Sequence, residues 1–245
     1  MSDEATQALE QHKIGHFGFS AVHIGNLGAA EYTLVTIVCD RSGSTNGFQT
    51  DMEAVLKEVV KACQSSPRAD NLLIRVLTFE DTHTEFHGFK LLEAINLDDY
   101  NNSLAPGGYT ALFDAMLDGI EATNNFGEQL GAQDFNTNAI LFFMTDGDDN
   151  RSSHGVNQIK DALSKAVKSE ALESVVTILI GVNVQEDHFR QTLERVKEQC
   201  GLTQFVPLAD ANKKTLAKLA QFVSQSISSQ SQALGSGGPS KSINF

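Results

Sequence analysis

Positive charge is scarce in this sequence. Eighteen Lys and Arg stand against 31 Asp and Glu, for a formal net charge of -13. No basic cluster interrupts that excess, which argues against nucleic acid and anionic membrane surfaces as partners, since phosphates need Lys/Arg patches. The same balance favours solubility and attracts cations. Cysteine is equally rare: Cys39, Cys63 and Cys200 make an odd set of three. They sit in apolar surroundings and read as reduced thiols of a cytoplasmic protein rather than as a disulfide framework. Apolar runs of about 18 residues, the length a membrane span needs, are missing. The N-terminal "MSDEATQALEQHK" is polar and acidic, so no signal peptide is expected there.

Apolar runs of strand length are present and alternate with helix-period segments. "TLVTIVC" (33–39), "NLLIRVLTF" (71–79), "NAILFFMT" (138–145), "SVVTILIGV" (174–182) and "QFVPL" (204–208) are nearly continuous in hydrophobicity. Such runs mark strands buried on both faces, as in a parallel sheet between helices. In 51–63, Met52, Val55, Leu56, Val59, Val60 and Cys63 recur at helical spacing, and Thr50 with Glu53 reads as a capping box. Further helices are predicted from near Thr110, after "NRSSHG", over 185–200 and over about 211–228. The rhythm predicts an α/β fold, a doubly wound, Rossmann-like, mostly parallel sheet flanked by helices. "DTHTEFHGFK" (81–90) is expected as one antiparallel edge strand. Residues 1–30 read as an extension packing on the domain's flank, 31–228 as the domain, and 229–245 as a disordered Ser/Gly-rich tail dispensable for folding.

Three loops carry oxygen side chains to one edge of such a sheet. "CDRSGSTNG" ends the first long strand and sets Asp40, Ser42 and Ser44 at every second residue. "PGGYTALFDA" delivers Thr110 to a helix start, and "TDGDDN" places Asp146 after an apolar strand. Ligands of open α/β sheets bind outside the carboxyl ends of the strands, where these five residues converge. All five offer oxygen and none nitrogen or sulfur, which suits Mg²⁺, Mn²⁺ or Ca²⁺ rather than Zn²⁺ or Cu²⁺. Three hydroxyls and two carboxylates make a small, lean cage, and that favours Mg²⁺.

D-R-S-G-S after the first strand, G-x-T ahead of a helix and T-D-G after an apolar strand together resemble the metal-ion-dependent adhesion site of von Willebrand factor A domains, of bacterial or phage type. The resemblance covers about residues 30 to 228. It implies that Ser42, Ser44 and Thr110 contact the metal through hydroxyls while Asp40 and Asp146 act partly through water. It also implies one coordination position left for an Asp or Glu of a partner protein. Tyr109, between Gly108 and Thr110, departs from relatives that place Thr directly after the glycines. Relatives of this kind partner MoxR-type AAA+ ATPases or stress-response proteins, so the resemblance implies an adaptor.

Other candidates rank lower. His83, Glu85 and His87 share one face of the 81–90 strand, since side chains repeat every second residue, and this zinc-like spacing reads better as a polar face guarding a sheet edge. Asp148 and Asp149 read as solvated loop acids, Asp114 and Asp118 as exposed helix residues, and His154 as a neighbour of the crevice. A Mg²⁺-dependent phosphatase-like hydrolase with Asp40 as nucleophile is the alternative function. That chemistry wants a second carboxylate two residues on as general acid, and Ser42 stands there. A structural subunit of a larger, phage-type assembly is the third reading. The leading expectation is a non-enzymatic, Mg²⁺-dependent protein–protein interaction module.

Overall fold

A computed structural model describes residues 9–14, 17–147, 149–169, 171–236 and 245. The strands are β1 (Leu9–Ile14), β2 (Phe17–Val22), β3 (Glu31–Asp40), β4 (Leu72–Phe79), β5 (His83–Leu91), β6 (Asn136–Thr145), β7 (Val175–Val182) and β8 (Gln204–Leu208). They form one sheet in the order β1-β2-β5-β4-β3-β6-β7-β8. From β4 through β3, β6 and β7 to β8 every pairing is parallel, while β1 pairs antiparallel with β2 and β5 antiparallel with β4. The helices are α1 (Gln49–Gln64), α2 (Leu112–Gly131), α3 (Val156–Lys168), α4 (Asp187–Cys200) and α5 (Lys213–Ser236).

The apolar runs are continuous because both faces of the central strands are covered. Val35, Ile37 and Cys39 of β3 pack toward α1 and α5, with Met52, Val59, Leu219 and Val223 in the same core. Leu34 and Val38 point the other way, into the core with Leu112, Met116 and Ile120 of α2, Ile159 of α3 and Leu193 of α4. Each such side chain contributes roughly 1.5–3 kcal/mol on leaving water. Strand order reverses at β3, which has β4 on one side and β6 on the other. That switch point opens a crevice at the carboxyl ends of β3 and β6, where Asp40 and Asp146 lie.

The doubly wound fold class stands, but its flank differs from expectation. The 81–90 segment is an interior strand, because the N-terminal residues add β2 beside it and β1 at the edge. β2 meets β5 in parallel at Ala21–Phe89. Gly88 permits the approach: a Cβ there would fall 1.9 Å from the Ser20 carbonyl oxygen. Register shifts against β4 pair Val76 with His87 but Leu77 with Glu85, so Phe86 is an extra residue in a bulge. The bulge turns His87 to the opposite face from His83 and Glu85, which disposes of the zinc-like spacing. His87 bonds Tyr100 Oη through Nε2 at 2.7 Å.

Two helix ends also differ. α1 begins at Gln49 with Phe48 as its cap residue and no side-chain cap, and Glu53 accepts instead from the Leu104 amide at 3.3 Å. α5 runs to Ser236, past the expected end at 228. Gln230 is the reason: it is 1% exposed, its Nε2 donates to the Ala139 carbonyl at 3.1 Å, and its Oε1 accepts from Ser174 Oγ at 2.8 Å. Of the expected tail, 237–244 lies outside the described residues, while Phe245 packs its ring on Phe222.

A buried ion cluster ties β4, β5, α2 and β2 together. Arg75 on β4 is fully buried; its Nε donates to Glu85 Oε2 at 2.6 Å and its Nη2 to Asp118 Oδ2 at 3.0 Å. Glu85 Oε1 in turn accepts from the amide and hydroxyl of Ser20 at 2.9 and 2.5 Å. Asp118, expected on an exposed helix face, is 1% exposed because α2 turns it onto the sheet.

Candidate functional site

Asp40 closes β3 with its carboxylate wholly buried. Its Oδ1 accepts from the Ser42 amide at 2.7 Å and its Oδ2 from Thr145 Oγ1 at 2.6 Å. The chain then makes a short 3-10 turn over Gly43–Thr45, closed by Thr45 Oγ1 donating to the Ser42 carbonyl at 2.8 Å. This tight turn, favoured by Ser and Gly, brings the two serine hydroxyls within 3.0 Å of each other. Ser44 Oγ donates onward to Asp146 Oδ1 at 2.9 Å. Asp40, Ser42, Ser44 and Asp146 are thus linked around one small volume.

Both carboxyls are pushed above their ordinary range. Burial pushes the Asp40 carboxyl above its usual range, against the hydrogen bonds from Ser42 and Thr145. Burial, then the charge of Asp40, pushes Asp146 up to about 6, with the Ser44 hydrogen bond opposing. Among the described residues, no hydrogen bond or ion pair from Lys, Arg or His reaches either group. Two desolvated carboxylates without a protein cation, beside neutral hydroxyls, form a donor set that matches a hard divalent ion. Among the described residues no group of three His, Cys, Asp or Glu is arranged to hold a metal ion.

Thr110, 4% exposed, reaches the crevice through backbone ties rather than a hydroxyl link to the other four. Gly43 N donates to the Gly108 carbonyl at 3.1 Å and Gly107 N to the Arg41 carbonyl at 2.9 Å, which joins the first and second loops. Gly108 takes φ +63°, a conformation where a side chain would be strained. Asn150 N and Arg151 N donate to the Thr110 carbonyl at 3.0 and 3.2 Å, which joins the second and third loops.

The third loop also caps α2. Thr110 N donates to Asn150 Oδ1 at 2.8 Å, Phe113 N to Asp149 Oδ1 at 3.3 Å and Asp114 N to Ser152 Oγ at 3.0 Å. Asp114 returns the contact by accepting from His154 N at 2.9 Å and His154 Nδ1 at 2.7 Å. Those contacts, led in the lowering direction by the Ser153 amide, outweigh partial burial and hold Asp114 below the ordinary carboxylate range. Asp149 and Asp114 are therefore loop anchors, not the solvated acids the sequence suggested; Asp148 lies outside the described residues. The signal was visible only as a run of cap-forming residues, "TDGDDNRSS", far in sequence from the helix end it serves.

At the rim, Tyr109 is 63% exposed. Arg41 Nη2 bonds Glu80 Oε1 at 2.7 Å, and Arg151 Nε lies 3.6 Å from Asp81 Oδ1.

Comparison with known proteins agrees with this architecture. The model of the von Willebrand factor type A domain matches residues 35–231. No match to a curated protein is found. Among solved structures, the PilB minor pilin from Streptococcus sanguinis superposes with TM-score 0.54 at 15% identity, over 86% of this chain and 64% of that one. Proximal thread matrix protein 1 from the mussel byssus gives 0.53 at 20% identity, over 80% of this chain and 46% of that one. The pilus adhesin SpaC from Lactobacillus rhamnosus GG, in its open conformation, gives 0.51 at 13% identity, over 80% of this chain and 30% of that one. The chain spans less than two thirds of the length of each, and at these identities the likeness establishes the fold alone. The family match covers most of the sequence and the sheet order follows it: this chain belongs to the von Willebrand factor type A domain family.

Proposed function

We propose that Asp40, Ser42, Ser44, Thr110 and Asp146 hold a Mg²⁺ ion and that the loaded crevice docks a partner protein through an Asp or Glu of that partner. Domains of this family commonly mediate protein–protein interaction. The observation that carries the reading is the hydrogen-bonded run Asp40–Ser42–Ser44–Asp146 at the sheet's switch point, where a fully buried and a half-buried carboxylate have no Lys, Arg or His partner among the described residues. The ion, when bound, supplies a positive centre that an incoming carboxylate neutralises. The chain's own residues do the rest: Thr145 and the Ser42 amide fix Asp40, Ser44 orients Asp146, and the three-loop backbone ties keep Thr110 in place.

A hydrolase reading is not favoured by the geometry. Asp40 is fully buried and held by the Ser42 amide and Thr145 Oγ1, and Ser42 stands where that chemistry needs a second carboxylate as general acid. We place this adaptor in the cytoplasm, a reducing setting in which its three free, buried cysteines stay as thiols.

The test is capture from host extract in Mg²⁺ or in EDTA, followed by affinity measurements on the identified partner. Binding should require Mg²⁺ or Mn²⁺, weaken in Thr110→Ala, respond less to added salt than to chelation, and vanish when one partner acid becomes its amide. Equal affinity in Mg²⁺ and EDTA would show that another surface does the binding.

A further inference from the structure

The rim of the crevice carries an aromatic side chain that the fold does not use. Tyr109 is 63% exposed, and the other exposed large apolar side chains among the described residues, Phe86, Val167, Phe189 and Phe245, lie outside the loops of the site. Its backbone, by contrast, is held firmly. Tyr109 N donates to Asp81 Oδ1 at 3.3 Å, Thr110 N to Asn150 Oδ1 at 2.8 Å and Ala111 N to the Glu80 carbonyl at 2.8 Å. Three successive amides thus bind three separate neighbours, and the ring stands out from a fixed base. Gly107 and Gly108 precede it and present no side chain to cover it; a Cβ on Gly108 would meet Asp81 Oδ2 at 2.5 Å.

A rigidly based, solvent-facing tyrosine contributes little to folding, yet it is the residue type that concentrates binding energy at interfaces, because it loses little conformational freedom on contact. Charge at the rim decides what it would meet. Glu80 and Asp81 are each paired with an arginine, Arg41 and Arg151, so two acids and two bases cancel there in a chain of net charge -13. At this part of the rim the charges beside the ring therefore balance. An apolar neighbour is what the ring is free to take.

Building on the metal-dependent docking proposed above, we propose that Tyr109 is the specificity-determining contact of the site, packing against an apolar side chain adjacent to the carboxylate on a partner's loop. The recognised element is an acid followed by an apolar residue, and the ring discriminates it from an acid in a polar context.

The experiment uses the full chain with Mn²⁺ and three cyclic peptides on one Gly/Ser frame that carry Asp-Leu, Asp-Ser or Asn-Leu, read by fluorescence polarisation. The wild type should prefer Asp-Leu over Asp-Ser by roughly tenfold, the order expected for burying part of one aliphatic side chain, and should not take Asn-Leu. Tyr109→Ala should bind Mn²⁺ normally and lose the preference, and Tyr109→Phe should keep it. If Mn²⁺ binds but Asp-Leu does not bind or gains nothing over Asp-Ser, or if Tyr109→Ala keeps the preference, the assignment of Tyr109 is overturned while the metal site stands. If the wild type takes up no Mn²⁺, the metal reading falls and this inference falls with it.

Discussion

Replacing Asp118 with Ala tests the energetics of the buried cluster beneath α2. Arg75 is fully buried with one carboxylate on Nε and one on Nη2, and its Nη1 has no hydrogen-bond partner among the described residues. Removing Asp118 leaves two of three guanidinium nitrogens without acceptors in a dry interior. Breaking a buried pair from one side costs about 3–5 kcal/mol. The substitution also removes Asp118 Oδ1, a buried acceptor with no partner among the described residues, and one surplus negative charge. That relief is worth about 1 kcal/mol, at the low end of the penalty for an unsatisfied buried group. The net expectation is a loss of about 3 kcal/mol, a large part of the ~5–15 kcal/mol typical of a folded domain. Urea unfolding followed by far-UV circular dichroism measures it. The double variant Arg75→Met/Asp118→Leu should cost clearly less than the sum of its singles, because it removes both charges together. A loss below about 0.5 kcal/mol for Asp118→Ala, or strict additivity in the double variant, would refute this reasoning.

Three further predictions follow from specific contacts. Gly88→Ala would drive a Cβ into the Ser20 carbonyl, so β2 should detach from β5 and trypsin should cleave faster after Lys13, with α/β content retained; an unchanged digestion rate would show that β5 accommodates the methyl. Burial lowers His87 from 6.5 to about 4, so the unfolded chain takes up its proton first as pH falls. The His87 contribution to stability should therefore fall between pH 6.5 and 4 by about 2 kcal/mol after allowance for partial exposure, against the opposite trend from the raised Asp40 and Asp146 carboxyls. His87→Gln should accordingly lose less stability over that range than the wild type; equal slopes would contradict it. Truncation before Gln230 strips Asn138, Ala139 and Ser174 of their partner and should lower Tm by about 10 °C, whereas ending the chain after Ser236 should cost only a few degrees; equal Tm values would show that the last turns of α5 do not matter.

The sequence revealed most about segments whose environment is dictated by their own composition. The five apolar runs could only be strands covered on both faces, and the structure places them there within two residues. The meeting of Asp40, Ser42, Ser44 and Asp146 was legible because each follows a strand at the same sheet edge, and Thr110 joins their loops through backbone ties. What escaped depends on partners distant in sequence. β1 and β2 are interrupted by glycine and polar residues, and their place beside β5 rests on Gly88 and Glu85. The bulge at Phe86 breaks the alternation that put His87 with Glu85. Gln230 is polar in a Ser/Gln-rich stretch, and only the carbonyl of Ala139 and the hydroxyl of Ser174 explain its burial. Asp114, Asp118 and Asp149 looked solvated because their donors, on other elements, are not neighbours in the chain.

The central claim is that five oxygen side chains at the β3–β6 switch point hold one divalent ion, and calorimetric titration with Mn²⁺ tests it most directly. A unit charge facing a divalent ion at ~4 Å is worth about 8 kcal/mol at an effective dielectric of ~20, and hydration recovers only part of that. The wild type should show a single saturable site, and Asp40→Asn should lose measurable binding while its far-UV spectrum stays unchanged. A wild type that takes up no Mn²⁺, or an Asp40→Asn variant that binds it as well as the wild type, would contradict the account.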